Sequence, residues 1–486
     1  MIIRTAEIKP LEEEYQANGN RLVIYYGDEN CQKEQLLKYF MQDKKAFYYR
    51  ARPASEQQQR KMMGMQIEEQ YDAAIKKYTY EEYFNRIKSG DASKLVVIID
   101  EFHHIAKKDD TFLEAIMKLK AKRLYPGPVL IILASSAFKW IEEEGRELLK
   151  ASLKKVDRIV RLRDMQFLEL VHALPEYSVS ECVETYGIIG GVPAYVNRWS
   201  SKKDLKYNVC KHILSPNGNL FREAERVVGR DLRELSVYNT ILCSLAAGNR
   251  KLNDLYHDTG FSRAKISVYL KNLMAYDIVE KISVFETGGW DNAQKGLYQI
   301  KHTLIHFWYK FVYPHMSGLY EMSTEEFYER YIKEELNDYL NRYFVKVCGE
   351  YLALLNAQGQ LAVQAVKMGV WIGKKGTIDI IAQDSVRQNI VAICNWSKSE
   401  LTDEMWKNLE FSMKQAKIKA EQYYLFSAQS FDEAIRERAE ENPKIKLIDM
   451  NCRSDYGESF IHSGKTKRCA GIYKSIKVRN AQPQRL

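Results

Sequence analysis

Between residues 20 and 170, short unbroken apolar runs alternate with longer stretches of helical spacing. "RLVIYY" (21–26), "AFYYRA" (46–51), "LVVIID" (95–100), "VLIILAS" (129–135) and "RIVRL" (158–162) read as strands. Continuous apolar strands joined by helices predict a parallel sheet covered on both faces. Residues 175–228 read as helical, with a turn at "YGIIGGVPAYV". From 230 to 300 the pattern gives three helices and then two strand-like runs around "ETGGWDNAQKG". From 325 to 452 mixed α/β spacing returns, and "VWIGKKGTIDIIAQDSVRQNIVAICNWSK" reads as the two strands of a hairpin. The segment from 453 onward has little pattern. No internal repeat is evident, so the expectation is a multidomain α/β chain.

The first strand runs into "YYGDENCQKEQLL" (25–37). A strand, a glycine and a lysine six places on is where a phosphate-binding loop of the type G-x-x-x-x-G-K-[ST] would sit. Gly27 and Lys33 fit it. Gln32 stands at the second glycine and Glu34 at the hydroxyl that would hold Mg²⁺. A second element lies at the end of "LVVIIDEFHHI": Asp100 and Glu101 follow a buried strand, where an acid can hold a Mg²⁺ shell and its neighbour can polarise a water. Two acids there are costly to bury without a partner. The following strand ends in "ASS", which puts Ser135 at a position that senses a terminal phosphate.

At this point the chain resembles the predicted prokaryotic DEXX-box ATPases, the archaeal-ATPase branch of the AAA+/STAND P-loop proteins. The resemblance rests on "IDEFHHI" (99–105), "LASSAFKWIEEE" (133–144), "YGIIGGVPAYV" (186–196), "HFWYKFVYPH" (306–315) and "YYLFSAQSF" (423–431), in that order. It implies a P-loop domain over 1–172, a helical lid over 173–228, a winged helix-turn-helix over 229–320, a PD-(D/E)XK-like endonuclease domain over 321–452 and a tail over 453–486. It also implies ATP with Mg²⁺ as cofactors, with Asp100 and Glu101 catalytic, Asp100 on the metal, and Gly27, Lys33 and Ser135 on the nucleotide.

The loop departs from that family's pattern, which resembles GRRRVGKT. A phosphate cradle needs inward N–H groups and close backbone approach, which is why glycines are used. Gln32 adds a side chain, and Asp28, Glu29 and Glu34 add negative charge. Like charges a few ångströms apart cost about 1–4 kcal/mol. A few such terms remove most of the ~8 kcal/mol of a micromolar site. These departures weigh against ATP and Mg²⁺ being held, and Lys33 is expected to pair with one of the loop acids. In the endonuclease-like region Asp379 occupies the first acid place, but Ile393 and Asn395 stand at the Glu and Lys places and Val345 at an upstream glutamate. Asp379 is therefore read as vestigial, and nuclease activity is not expected.

Charge adds one further feature. Of the net +9, seven units lie between Lys465 and Arg485 with no acid among them. In the middle region "DTGFSRAKISVYLKNLMA", Ser262 is a helix cap, and Ile266, Leu270, Leu273 and Met274 form the buried stripe. Arg263, Lys265 and Lys271 lie off it, where a recognition helix would meet duplex DNA. Packing against protein is the other reading of this helix. The cysteines at 31, 182, 210, 243, 348, 394, 452 and 469 lack CxxC spacing, which argues against a zinc ribbon or a disulfide scaffold. No secretory h-region and no membrane-length apolar run is seen, so a cytoplasmic protein without membrane contact is expected. Two functional readings stay open. One is a regulatory or scaffold protein with a degenerate nucleotide site, binding an unidentified protein partner and DNA. The other is an active ATP-driven switch.

Overall fold

The computed structural model describes residues 4–87, 92–121, 125–145, 155–292, 296–397 and 399–449. The chain divides into two compact units: Met1–Asp164 with Val192–Asn197, and Met165–Gly191 with Arg198–Leu486.

The first unit is a parallel sheet of β1 (Arg21–Tyr26), β2 (Ala46–Arg50), β3 (Leu95–Asp100), β4 (Val129–Ser135) and β5 (Arg158–Arg161). All five coincide with the expected runs to within a residue. Their order is β2-β3-β4-β1-β5. The central strands are apolar on both faces because both are covered. Leu22, Ile24, Val97, Ile99, Ile131 and Leu133 enter one core. Val23, Tyr25, Val96, Ile98, Leu130 and Ile132 enter the other. Strand alternation thus divides one apolar run between two helix layers. The chain leaves β1 for β2 past β4 and β3, so a crevice opens at the carboxyl ends of the strands, where such sheets bind ligands. Tyr26 is level with Ser135, and Arg50 with Asp100, on that edge.

The second unit begins with helices, as expected for 175–228: Val179–Ile189, capped by Ser178 and Glu181, and Glu223–Asp231 among them. The stripe around "HFWYKFVYPH" is core, with Phe307 and Trp308 fully buried. Three helices precede it in the middle region: Leu235–Ala246, Leu252–Thr259 and Arg263–Ala275. β6 (Val279–Ile282) then pairs antiparallel with β8 (Leu297–Ile300). Between them lies the two-residue β7 (Val284–Phe285), which joins a different sheet. That sheet has six strands, adding β9 (Lys367–Gly373), β10 (Gly376–Gln383), β11 (Asn389–Asn395), β12 (Gln422–Ser427) and β13 (Ile445–Asp449). The expected two-stranded hairpin is a three-stranded antiparallel meander, β9-β10-β11. The glycines of "GKKG" close a tight turn at 373–376, dividing what reads as one run. Among the described residues no helix is long and apolar enough to cross a membrane, and Cys31, Cys182, Cys210, Cys243, Cys348 and Cys394 are free.

Candidate functional site

The loop after β1 winds into a 3₁₀ turn, Glu29–Cys31, before the helix Lys33–Met41. The Asp28 side chain caps the turn by accepting from the Asn30 N–H at 2.9 Å, and the Cys31 N–H donates to the Asp28 carbonyl at 3.2 Å. Two of the N–H groups that a phosphate cradle would aim outward are thus already used within the loop. Gly27 is needed for packing: a Cβ there would lie 2.6 Å from Leu162 Cβ and 2.7 Å from Cys31 Sγ. Gln32 sits in the left-handed region, φ 60° and ψ 34°. The backbone keeps the shape that a glycine serves, and a side chain bears the strain, about 1–2 kcal/mol.

Lys33 is buried at the first turn of its helix, 5% exposed. Its Nζ donates to Asp100 Oδ1 and, at 2.9 Å, to Glu101 Oε1. The expected partner was a loop acid. The lysine instead reaches across the sheet edge to the acids at the end of β3, which are 0% and 6% exposed and for which it is the nearest full positive charge. The loop acid Glu34 points elsewhere, bonding Lys38 at 2.8 Å and Arg50 at 3.0 Å. Its charge is therefore compensated.

The remaining bonds of the two acids are also made. Asp100 accepts from Tyr48 OH at 2.8 Å and from the Glu101 N–H at 3.0 Å. Arg50 Nε stands 3.9 Å from Asp100 Oδ2. Glu101, itself left-handed at φ 54°, accepts from the Ser136 N–H at 2.9 Å and its Oγ at 2.8 Å. Burial pushes the Glu101 carboxyl up, but the Lys33 charge and the Ser136 donors leave it below the ordinary carboxylate range. Ser135 is fully buried, with its Oγ 2.9 Å from His103 Nδ1. Burial, with the neighbouring His104, pushes His103 down to about 3, so its ring is neutral at pH 7. Gly27, Lys33, Asp100, Glu101 and Ser135 are thus brought to one edge, as the sequence reading grouped them. Tyr48 and Arg50 were missed there. Their signal is positional, since β2 lies beside β3 and ends level with Asp100.

In the second unit Asp379 lies on β10 and its Oδ2 accepts from the Cys394 N–H at 2.9 Å. Burial raises its carboxyl to about 6, against the pull of that N–H. It borders a cavity of about 310 Å³ with Ile393, Asn395 and Asn408. Asn395 is turned into its own loop, bonding Ser397 and Ser399. Val345 lies on the helix Lys333–Ala357, after the buried Phe344. Among the described residues no group of three or more His, Cys, Asp or Glu is placed to hold a metal.

The helix Arg263–Ala275 is capped by Ser262, whose Oγ accepts from the Lys265 N–H at 3.3 Å. Ile266, Leu270 and Leu273 are buried, and Arg263, Lys265 and Lys271 are exposed. Arg263 lies over the Tyr256 ring at 4.0 Å and Lys265 over Phe261 at 4.5 Å. The basic segment 464–486 lies outside the described residues.

Comparison with known proteins adds the following. Residues 2–198 match a family described as an ATPase domain predominantly from Archaea, and residues 308–418 a family of archaeal and bacterial proteins of unknown function. An uncharacterized protein of Methanocaldococcus jannaschii is 25% identical over 409 residues, covering 84% of this chain and 88% of that protein. A Walker-type ATPase of Pyrococcus abyssi is 14% identical, with 64% of this chain over 96% of that one and a TM-score of 0.42. The ORC2 protein of Aeropyrum pernix is 12% identical, with 66% of this chain over 94% of that one and a TM-score of 0.44.

Proposed function

Since this chain belongs, through residues 2–198, to the family of ATPase domains found predominantly in Archaea, we propose that it is a member whose nucleotide site has become a structural ion-pair network. In this reading it acts as a regulatory or scaffold protein on duplex DNA, without efficient ATP turnover. The observation that carries the reading is Lys33, whose ammonium lies between Asp100 and Glu101. It stands on the carboxylates that would serve the metal and the water. A Mg²⁺ ion does not fit that donor set, because the acids are already paired and Glu34 replaces the neutral hydroxyl ligand. The Asn30 and Cys31 N–H groups are likewise committed within the loop.

The same erosion extends to the second unit. Residues 321–452 are read as a PD-(D/E)XK-like domain with Asp379 alone in place, and one carboxylate does not hold a catalytic Mg²⁺. Residues 229–320 are read as a winged helix whose cations Arg263, Lys265 and Lys271 meet DNA phosphates. The tail from Lys465 adds charge toward the same partner, and a protein partner is left unnamed. An active ATP-driven switch is the second reading. It is favoured by the presence of both acids at the end of β3, with Ser135, Ser136 and His103 around them. Steady-state phosphate release from Mg²⁺–ATP by the purified full chain separates the two. Background rates with and without duplex DNA support the first, and DNA-stimulated turnover supports the second.

A further inference from the structure

Buried acids in this chain are met by cations. Glu14 lies 2.6 Å from Arg21, Asp109 2.8 Å from Arg60 and Glu223 2.7 Å from Arg226, and Asp100 and Glu101 share Lys33. Asp379 is sunk in the second unit without such a partner. Its Oδ2 accepts from the Cys394 N–H. Among the described residues its Oδ1 accepts no hydrogen bond, and no cation is paired with it. A carboxylate drawn out of water and left uncompensated is costly, and that cost is what raises its carboxyl.

The space that this carboxylate borders is built from two elements. β10 supplies one side, with Thr377 and Asp379 two places apart and so on the same face. The helix Asp403–Ala416 supplies the other through Met405, Asn408, Leu409 and Ser412, whose spacing puts them on one stripe. The turn before β10 closes against that helix, since a Cβ at Gly376 would run into Ser412 Oγ. Ile393 makes the lining more apolar, and Phe411, 46% exposed, adds an aromatic ring. The volume, about 310 Å³, suits a small molecule.

This lining selects its occupant. Asp379 repels an anion. A divalent metal needs more oxygen donors than one carboxylate, and Asn395 is committed to Ser397 and Ser399. A neutral polar molecule leaves the charge uncompensated. An ammonium compensates it, gains a charge-assisted hydrogen bond and is favoured beside an aromatic ring. An apolar body on that ammonium covers Ile393, Met405 and Leu409. Lys375, exposed in the same lining, disfavours a second positive charge.

We propose that this cleft binds a small organic monocation, a protonated primary amine on an apolar body, whose ammonium donates to Asp379 Oδ1. The proposal rests on the cleft and its unpaired acid, and stands or falls apart from the nucleotide and DNA readings.

The test is a saturation-transfer NMR titration of the full-length chain at pH 7.5 with benzylammonium, and with benzyl alcohol and benzoate as isosteres of nearly equal size. Benzylammonium should bind with a Kd of about 1 mM, ordinary for so few heavy atoms. Benzyl alcohol should bind at least about tenfold more weakly, the scale of one charge-assisted hydrogen bond, and benzoate not at all. Asp379→Asn keeps an oxygen for the Cys394 N–H, so the fold is retained, and it should abolish the preference for the amine over the alcohol. Phe411→Ala, at an exposed position, should weaken benzylammonium about threefold. Equal affinity for the amine and the alcohol overturns the proposal, as does an unchanged preference in Asp379→Asn. No saturable binding of benzylammonium up to about 10 mM, ten times the expected Kd, overturns it as well.

Discussion

Replacing Lys33 with alanine removes the ammonium from between two carboxylates that are 0% and 6% exposed. What remains for Asp100 is Tyr48 OH, the Glu101 N–H and a guanidinium at 3.9 Å; for Glu101, the two Ser136 donors. Removing one partner of a buried ion pair costs about 3–5 kcal/mol, because an uncompensated charge is left behind. At about 2–4 °C per kcal/mol for a unit of this size, the melting temperature should fall by roughly 6–20 °C. Urea titration read by hydrogen exchange in the peptides covering Leu95–Asp100 and Val129–Ser135 assigns the loss to the first unit. Adding Asp100→Asn and Glu101→Gln should recover most of it, since the three groups act together. The pH dependence gives an independent sign. In the native chain Glu101 titrates below its ordinary range, so its contribution is present above about pH 4.3 and is lost as pH falls through the folded value. Without Lys33 burial dominates and the carboxyl moves up, so the variant should gain stability between pH 7 and pH 5 where the native chain does not. A loss under about 1 kcal/mol, the range of surface pairs, with an unchanged pH profile refutes the reasoning.

Gln32→Gly relieves a left-handed side chain and should raise stability by about 1 kcal/mol in a thermal scan. Combined with Glu34→Thr, it should restore ATP binding measurable by calorimetry if the loop alone excludes the nucleotide. Neither Mg²⁺ nor Mn²⁺ should support DNA cleavage by the full chain, and cleavage that disappears in Asp379→Ala contradicts the reading of Ile393 and Asn395. Asp379, raised to about 6, is charged at a cost above that pH. Asp379→Asn should therefore melt higher than the native chain at pH 8 and show no advantage below about pH 4, by scanning fluorimetry.

The parallel sheet was legible because β1, β3 and β4 carry unbroken apolar runs through their centres, the pattern of a strand covered on both faces. The grouping of Lys33 with Asp100, Glu101 and Ser135 followed from motif spacing around such a sheet. What Lys33 touches was not legible, since the choice between Glu34 and Asp100 depends on the rotamer and on Arg50. Arg50 in turn comes from strand order, which spacing does not encode. The glycines of "GKKG" carried the signal for a turn, and a longer strand-like run concealed it. β7, with two residues, is too short for any period to mark, yet it ties the chain after β6 to the six-stranded sheet.

The central claim is that the Lys33–Asp100–Glu101 network has replaced a nucleotide site. Calorimetric titration of the purified full-length chain with ATP, with and without Mg²⁺, tests it most directly. The account predicts no binding tighter than about 100 μM, or roughly 5.5 kcal/mol, under either condition. Micromolar affinity that depends on Mg²⁺ would show that the lysine releases its acids to the ligand, and the account would be wrong.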